Sequence, residues 1–285
     1  MGRASDVFVY GTLRKGERNH HLLNGVKCVA EQAWTAGKLF TTSEDYPVMQ
    51  RYGSEKVYGE LYEINDKLLE RLDELEDFEP EREDNLYQRI TQKVHTDRGD
   101  FLAYVYVISH RTKTIKQDLI QSGDWSVFQL LKNERFYYFA YGSCMDNVRF
   151  KAQDANQFFE KVIGRGMLDG YKLRYSMVLT DGGRADMVEE GGTVEGKLYE
   201  IDQAAIPYLY WREGVATGRY RPAIVPVRLD NGSIAAALTF LVVNKQAEVA
   251  PPAHYIEEIL RGGKGCCSDA YLSGLAADVR ELRKK

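Results

Sequence analysis

Long apolar runs are missing from this 285-residue chain. None approaches the roughly 18 residues that cross a bilayer as a helix. The opening residues Met1-Gly2-Arg3-Ala4-Ser5-Asp6 hold no apolar signal core, and Asp6 breaks the myristoylation pattern. Cysteine is scarce, with Cys28, Cys144, Cys266 and Cys267 alone. They form no Cys-x-x-Cys pair, and His-x-x-x-His spacing is absent, which argues against a disulfide framework and against a metal site. An excess of one charge is lacking too. The formal net charge is −4, with both signs interspersed, so the basic stripe of a nucleic-acid binder is missing. These absences predict a soluble, reduced, cytoplasmic protein without a membrane or nucleic-acid partner.

Common catalytic signatures are missing as well. No G-x-S-x-G elbow stands in a Ser-His-Asp order. Gly11 to Gly16 has the spacing of a phosphate loop, but Glu17-Arg18 replace the Lys-[ST] pair, and an acidic residue there repels phosphate. Cys144 has no recognisable histidine partner and is matched by Leu13 in the first half, which argues against a thiol nucleophile. His20-His21 could touch a ligand or sit in a solvated loop, and His95, His110 and His254 stand singly.

What is present is duplicated. Val7-Phe8-Val9-Tyr10-Gly11-Thr12-Leu13 opens one half, and Tyr137-Tyr138-Phe139-Ala140-Tyr141-Gly142-Ser143-Cys144-Met145 opens the other. Each reads as a buried strand stopped by glycine and a small hydroxyl residue. A second repeat, V-x-G-x-L-Y-E-I-[ND], occurs at 57–65 and 194–202 and aligns the halves independently. Its alternation predicts a half-buried strand, with Asn65 or Asp66 and then Asp202 capping the helix that follows. A hydrophobic content of 44% supplies cores for two domains, placed at 1–133 and 134–285.

The first half adds predicted strands at 33–40, 47–51, 87–94 and 101–108. The second adds 164–177, which turns within itself, then 220–228 and 234–243. Gly164-Arg165-Gly166 reads as a turn. A helix is expected over 124–132 in the linker and over 253–261 and 270–283 in the tail. Gly262-Gly263-Lys264-Gly265 would end the first tail helix, and Cys266-Cys267 would start the second. Many short strands with few helices indicate an α+β fold on a mixed or closed sheet, not a doubly wound one.

A glutamate recurs four residues after the equivalent leucine of each repeat helix, as Glu76 after Leu72 and Glu213 after Leu209. Most glutamates at helix ends are simply solvated. This one is flanked in the second half by Tyr208, Tyr210 and Trp211, an aromatic wall able to raise its pKa and suit it to general-base work. The two glycine turns aim consecutive backbone N–H groups at one point.

These residues resemble the γ-glutamylcyclotransferase (AIG2-like) family. Tyr138-Phe139-Ala140-Tyr141-Gly142-Ser143 looks like its YFAYGS turn. Glu213-Gly214-Val215 with Gly218-x-Tyr220 looks like its E-G-V-x-x-G-x-Y segment, and Pro251-Pro252-Ala253-His254-Tyr255 like its P-[SP]-x-x-Y segment. The first half is closer to the γ-glutamylamine branch, through Val9-Tyr10-Gly11-Thr12-Leu13-Arg14-Lys15-Gly16, Leu72-Asp73-x-x-Glu76 and Ser122-Gly123-Asp124-Trp125. The tandem arrangement resembles a two-domain bacterial member. Cys144 stands where asparagine is common, Tyr210 replaces the aspartate of L-D-x-x-E, and the first half lacks a counterpart of Tyr255.

The resemblance implies two small mixed-sheet barrels with flanking helices, no metal and no cofactor. It implies an enzyme of the cyclising, amide-cleaving transferase or lyase class acting on a small γ-glutamyl substrate. The α-amine attacks its own γ-carbonyl, closing 5-oxoproline and releasing an amine or amino acid. Glu213 and Glu76 would be the catalytic acid/bases. Tyr138 to Ser143, Tyr255, and Tyr10, Gly11, Thr12 and Leu13 would hold substrate. Two other readings stay open: a non-catalytic carboxylate- or amine-binding role for one or both units, and a purely structural role for the first in completing the second.

Overall fold

The computed structural model describes residues 4–109 and 117–284; His110 and the first three residues of the chain lie outside them. The chain divides into two compact units, residues 1–128 and 129–285. Among the described residues, no helix is long and apolar enough to cross a membrane.

In the first unit the strands are β1 (Ser5–Val9), β2 (Lys27–Ala36), β3 (Lys38–Phe40), β4 (Val48–Gln50) and β5 (Lys56–Ile64). Helix α1 (Asp66–Leu75) follows, then β6 (Tyr87–Thr96), β7 (Gly99–Ile108) and α2 (Trp125–Leu130), which runs across the unit boundary. Five strands close a barrel in the order β1-β5-β2-β6-β7, with β7 parallel to β1. The apolar run of β1 does not alternate because both its faces are covered. Phe8 joins a cluster with Ala33, Leu61, Val94 and Val105. Val7 and Val9 join a second cluster with Leu68 and Leu72 of α1. Successive side chains of a strand point to opposite faces, so each strand feeds both layers.

The second unit repeats this plan with β8 (Arg135–Ala140), α3 (Asn147–Ala152), β9 (Val162–Asp169), β10 (Lys172–Leu179), β11 (Gly182–Val188) and β12 (Thr193–Asp202). Then come α4 (Ile206–Arg212), β13 (Tyr220–Leu229), β14 (Ile234–Val242), α5 (Ala253–Gly263) and α6 (Asp269–Leu282). Its barrel order, β8-β12-β9-β13-β14 with β14 parallel to β8, is that of the first. The α+β reading as two tandem barrels with a few helices holds.

The shared glycine of the V-x-G-x-L-Y-E-I repeat has a packing cause. A Cβ on Gly59 would lie 2.2 Å from the Val9 carbonyl oxygen and 2.9 Å from the Phe8 ring. On Gly196 it would lie 2.4 Å from the Ala140 oxygen and 2.7 Å from the Phe139 ring. In both barrels the aromatic residue of the first strand folds across its neighbour. Neither a backbone oxygen nor a core ring can step aside, so Gly196→Ala should cost about 1–3 kcal/mol. Denaturant unfolding would show it, and unchanged stability would mean the strands can separate there.

Several expectations need correction. Gly164-Arg165-Gly166 is not a turn but part of β9, paired with β12. Gly164 (φ +141°) sits where the register slips by a bulge, and Gly166 leaves room for Val227 and Phe139. Strand β11 was not expected. Its glycines defeat strand propensity, yet a Cβ on Gly183 would meet the Val249 oxygen at 2.2 Å. The Gly262-Gly263-Lys264-Gly265 segment does end α5, at Gly263 with Lys264 as the C-cap, and within the helix Gly262 packs on the backbone of Met145 and Asp146. Cys266 and Cys267 precede α6, which is capped by Ser268. Asn65 and Asp202 do cap, accepting from the N–H groups of Leu68 and Ala204.

Candidate active sites

Each barrel places a carboxylate at one helix end opposite one glycine turn. In the first unit, buried Leu72 anchors α1, and its carbonyl accepts the N–H of the C-cap residue Glu76 at 3.0 Å. In the second, buried Leu209 accepts the N–H of Glu213, the C-cap of α4, at 2.9 Å. The leucine four residues back thus fixes where each glutamate starts. A helix C-terminus carries partial negative charge, so this position disfavours an ionised carboxyl in both cases.

The first turn is held from beneath. Tyr10 OH donates to the Tyr106 carbonyl at 2.7 Å, and Asn19 Nδ2 donates to Thr12 Oγ1 at 3.0 Å. His20 Nδ1 donates to the Leu13 carbonyl at 3.0 Å, so this histidine supports the turn. Arg14 turns inward and bonds Asp124 at 2.6 Å and Glu60 at 3.4 Å. Glu60 also accepts the Lys15 N–H and the Tyr62 hydroxyl. The Ser122-Gly123-Asp124-Trp125 segment therefore belongs to the support of the turn.

Above it lies a cavity of about 240 Å³ lined by Tyr10, Gly11, Thr12, Leu13, Glu76 and the tyrosines Tyr46 and Tyr87. Glu76 has no hydrogen-bond or ion-pair partner for its carboxyl among the described residues. Burial pushes that carboxyl up to about 7. Tyr10 and Tyr87 are raised by burial as well, with the Glu76 charge adding to the effect. Asp73 of the L-D-x-x-E segment points elsewhere, accepting from Tyr106 OH at 2.6 Å and pairing with Arg89.

The second site is tighter. A cavity of about 40 Å³ is lined by Tyr138, Tyr141, Gly142, Ser143, Cys144, Glu213, Tyr220 and Tyr255, with Ala185 of β11. A neighbouring cavity of about 140 Å³ shares Ser143, Glu213, Tyr220 and Tyr255 and adds Arg149, Arg184, Arg212 and Arg219. Tyr255 OH accepts the Ala185 N–H at 3.1 Å, and Tyr220 OH donates to the Ala185 carbonyl at 2.7 Å. A Cβ on Gly142 would stand 3.3 Å from the Tyr255 hydroxyl, so the glycine sets how closely turn and final helix approach. Among the described residues, the N–H groups of Gly142, Ser143 and Cys144 meet no protein acceptor. Burial raises Glu213, while the Cys144 hydrogen bond and the Arg212 and Arg149 charges pull the other way.

The structure separates some residues that the sequence grouped. Phe139 and Ala140 are core residues that line neither cavity. Trp211 is 68% exposed, and Tyr210 packs edge-on against Phe240, so neither walls Glu213. Its desolvation comes instead from the barrel tyrosines. Tyr46 and Pro47 were missed; Pro47 closes on Gly11, as the Tyr255 hydroxyl and Ala185 do on Gly142. Arg184 was missed as well. No group of three potential metal ligands occurs among the described residues.

Comparison with known proteins agrees with this architecture. The family model for gamma-glutamyl cyclotransferase, AIG2-like, matches residues 7–127, and that for the AIG2-like family matches residues 193–275. YkqA of Bacillus subtilis strain 168, provisionally designated a gamma-glutamylcyclotransferase, is 42% identical over 281 residues, covering 98% of each chain. The crystal structure of YkqA superposes with a TM-score of 0.87 at 40% identity, over 98% of this chain and 99% of that one. The gamma-L-glutamyl-butirosin B gamma-glutamyl cyclotransferase of Niallia circulans is 34% identical over 128 residues, 44% of this chain and 78% of that protein. With two barrels of one topology, each matched by a model of the same family, the chain belongs to the AIG2-like gamma-glutamylcyclotransferase family as a tandem two-domain member.

Proposed function

We propose that both domains cyclise γ-glutamyl groups to 5-oxoproline, with Glu76 and Glu213 as the acid/bases. The observation that carries this reading is the raised, unpartnered carboxyl of Glu76 facing the Tyr10–Leu13 turn. The substrate's α-ammonium has a pKa of roughly 8, and a carboxylate near 7 takes its proton far more readily than one near 4.3. The freed nitrogen attacks the γ-carbonyl carbon of the same molecule, forming the ring C–N bond. Negative charge gathers on the carbonyl oxygen, where the turn N–H groups can receive it. The old C–N bond then breaks as the glutamic acid returns its proton to the departing nitrogen. The carboxylate so restored takes the surplus proton from the positively charged ring nitrogen and passes it to the released amine, which leaves as an ammonium beside neutral-ring 5-oxoproline. Both reacting groups belong to one substrate, so the pocket chiefly folds it into the ring-closing pose.

The linings favour different leaving groups. Beside Glu213, Arg149, Arg184, Arg212 and Arg219 suit one carrying a carboxylate. Beside Glu76, Arg18 is the single cation of the lining, against four arginines at the other site, and this poverty in positive charge suits a leaving group without a carboxylate, such as an amine. In a 5-oxoproline release assay on the full chain, Glu213→Gln should lose turnover of γ-glutamyl amino acids. Glu76→Gln should lose turnover of γ-glutamyl alkylamines. Release of no 5-oxoproline from any such substrate by the unaltered protein would leave two binding modules instead.

A further inference from the structure

Cys144 is the one buried nucleophile at the second site that this chemistry does not use. Its side chain is 7% exposed and lies between a cation and the glutamate. The thiol donates to Glu213 Oε1 at 3.0 Å and accepts from Arg212 Nε at 2.9 Å. Arg212 itself stands 3.8 Å from Glu213 Oε1, beyond hydrogen-bonding distance, so guanidinium and carboxylate meet through the sulfur. The guanidinium is fixed on its other edges by Ser143 Oγ at 3.3 Å, Gln153 Oε1 at 3.3 Å and the Tyr208 hydroxyl at 3.4 Å.

We propose that Cys144 is a positioning residue: its thiol holds one oxygen of Glu213, ties it to Arg212, and leaves the second oxygen to exchange the substrate's proton. This rests on reading the pocket as an active site. Burial pushes the Cys144 thiol up to about 11, so near neutral pH the sulfur keeps its proton and serves as donor, not nucleophile. The first domain provides the contrast. Leu13 occupies the equivalent place, and the Glu76 carboxyl has no donor among the described residues.

The other groups facing Glu213 leave the thiol as the adjustable contact. Tyr138 and Tyr141 from the β8 end, Tyr220 from β13 and Tyr255 from α5 all titrate above their usual range and stay neutral near pH 7. Arg149 on α3 is paired with Glu258, and Arg184 on β11 with Asp181. Arg219 lines the outer cavity. None of these has a hydrogen bond to the Glu213 carboxyl among the described contacts; Cys144 does.

The test uses the full chain carrying Glu76→Gln, so that only the second site turns over. Carbon-13 NMR of glutamate side-chain carboxyls reads the Glu213 titration, assigned by its loss in Glu213→Gln. Cys144→Ala should raise the Glu213 midpoint, and the acidic limb of kcat/KM, by about one pH unit, the worth of one hydrogen bond to a charged group. Cys144→Ser, which keeps a donor, should hold both within a few tenths of a unit. An alanine variant that titrates like the parent overturns the proposal. So does a serine variant that shifts as far as alanine, since that would make the sulfur mere filling. Should no γ-glutamyl substrate turn over, the active-site reading fails, and the carboxyl titration still decides whether the thiol holds Glu213.

Discussion

Glu76→Gln should inactivate the first domain and, at pH 8, make it more stable. The two effects have one cause. Glutamine keeps the shape of the side chain but cannot take the substrate's proton, a loss of roughly 10²–10⁴-fold for a general base. The carboxyl of Glu76 lies near 7 in the folded chain because burial disfavours its charge. Its value in an unfolded chain is about 4.3. A carboxyl raised on folding favours the native state below the unfolded value, and that contribution is lost as pH rises through the folded one. Above pH 7 the native domain therefore carries a buried charge that the unfolded chain would solvate, at a cost of roughly 4 kcal/mol at most. Glutamine removes it. Denaturant unfolding of parent and variant should nearly coincide at pH 4.5 and separate by pH 8, with the variant the more stable. The parent's first-site kcat/KM should rise with pH through a limb near 7. A variant destabilised at pH 8 would show that Glu76 is a structural acceptor. Activity retained in that variant would remove its role as base.

The duplicated signatures made the barrels and the two glutamates legible in the sequence. The V-x-G-x-L-Y-E-I strand, its cap and the leucine four residues before each glutamate are local features, and local spacing fixes a helix end. What failed was any inference from adjacency. Trp211 stands two positions before Glu213, and two helical steps turn a side chain to nearly the opposite face. Phe139 and Ala140 lie within the YFAYGS turn, but consecutive strand residues cannot all face one cavity. The residues that were missed come from distant segments. Tyr46 and Pro47 precede β4, Arg184 lies on the glycine-led strand β11, and both strands belong to two-stranded sheets outside the barrels, so only the tertiary fold brings these residues to the sites. The same holds for Arg14, whose partners Glu60 and Asp124 lie 46 and 110 positions along the chain.

That arginine gives the largest stability effect to be expected. Arg14 is 3% exposed and bridges two buried acids, with Glu60 at 5% and Asp124 at 0% exposure. A buried ion cluster adds little net stability when complete, because desolvation offsets the attraction. Removing one member is another matter, since the remaining charges stay buried without their counterion. Arg14→Met should cost about 3–5 kcal/mol. Glu60→Gln should cost less, about 1–2 kcal/mol, because the amide oxygen still accepts the Lys15 N–H and the Tyr62 hydroxyl. Arg14→Lys should not restore the parent value: one ammonium cannot span two carboxylates as the guanidinium fork does. Trp125 is buried in the same unit and donates its indole N–H to Glu17, so its fluorescence reports this domain's unfolding. If Arg14→Met and Glu60→Gln proved equally stable, the cluster would be a consequence of the fold and not a support of the Tyr10–Leu13 turn. If the predicted order holds, the first site depends on an ion cluster that its pocket never touches. Substitutions at Arg14 should then lower first-domain turnover through the turn's geometry, with the Glu76 limb of the pH profile left in place.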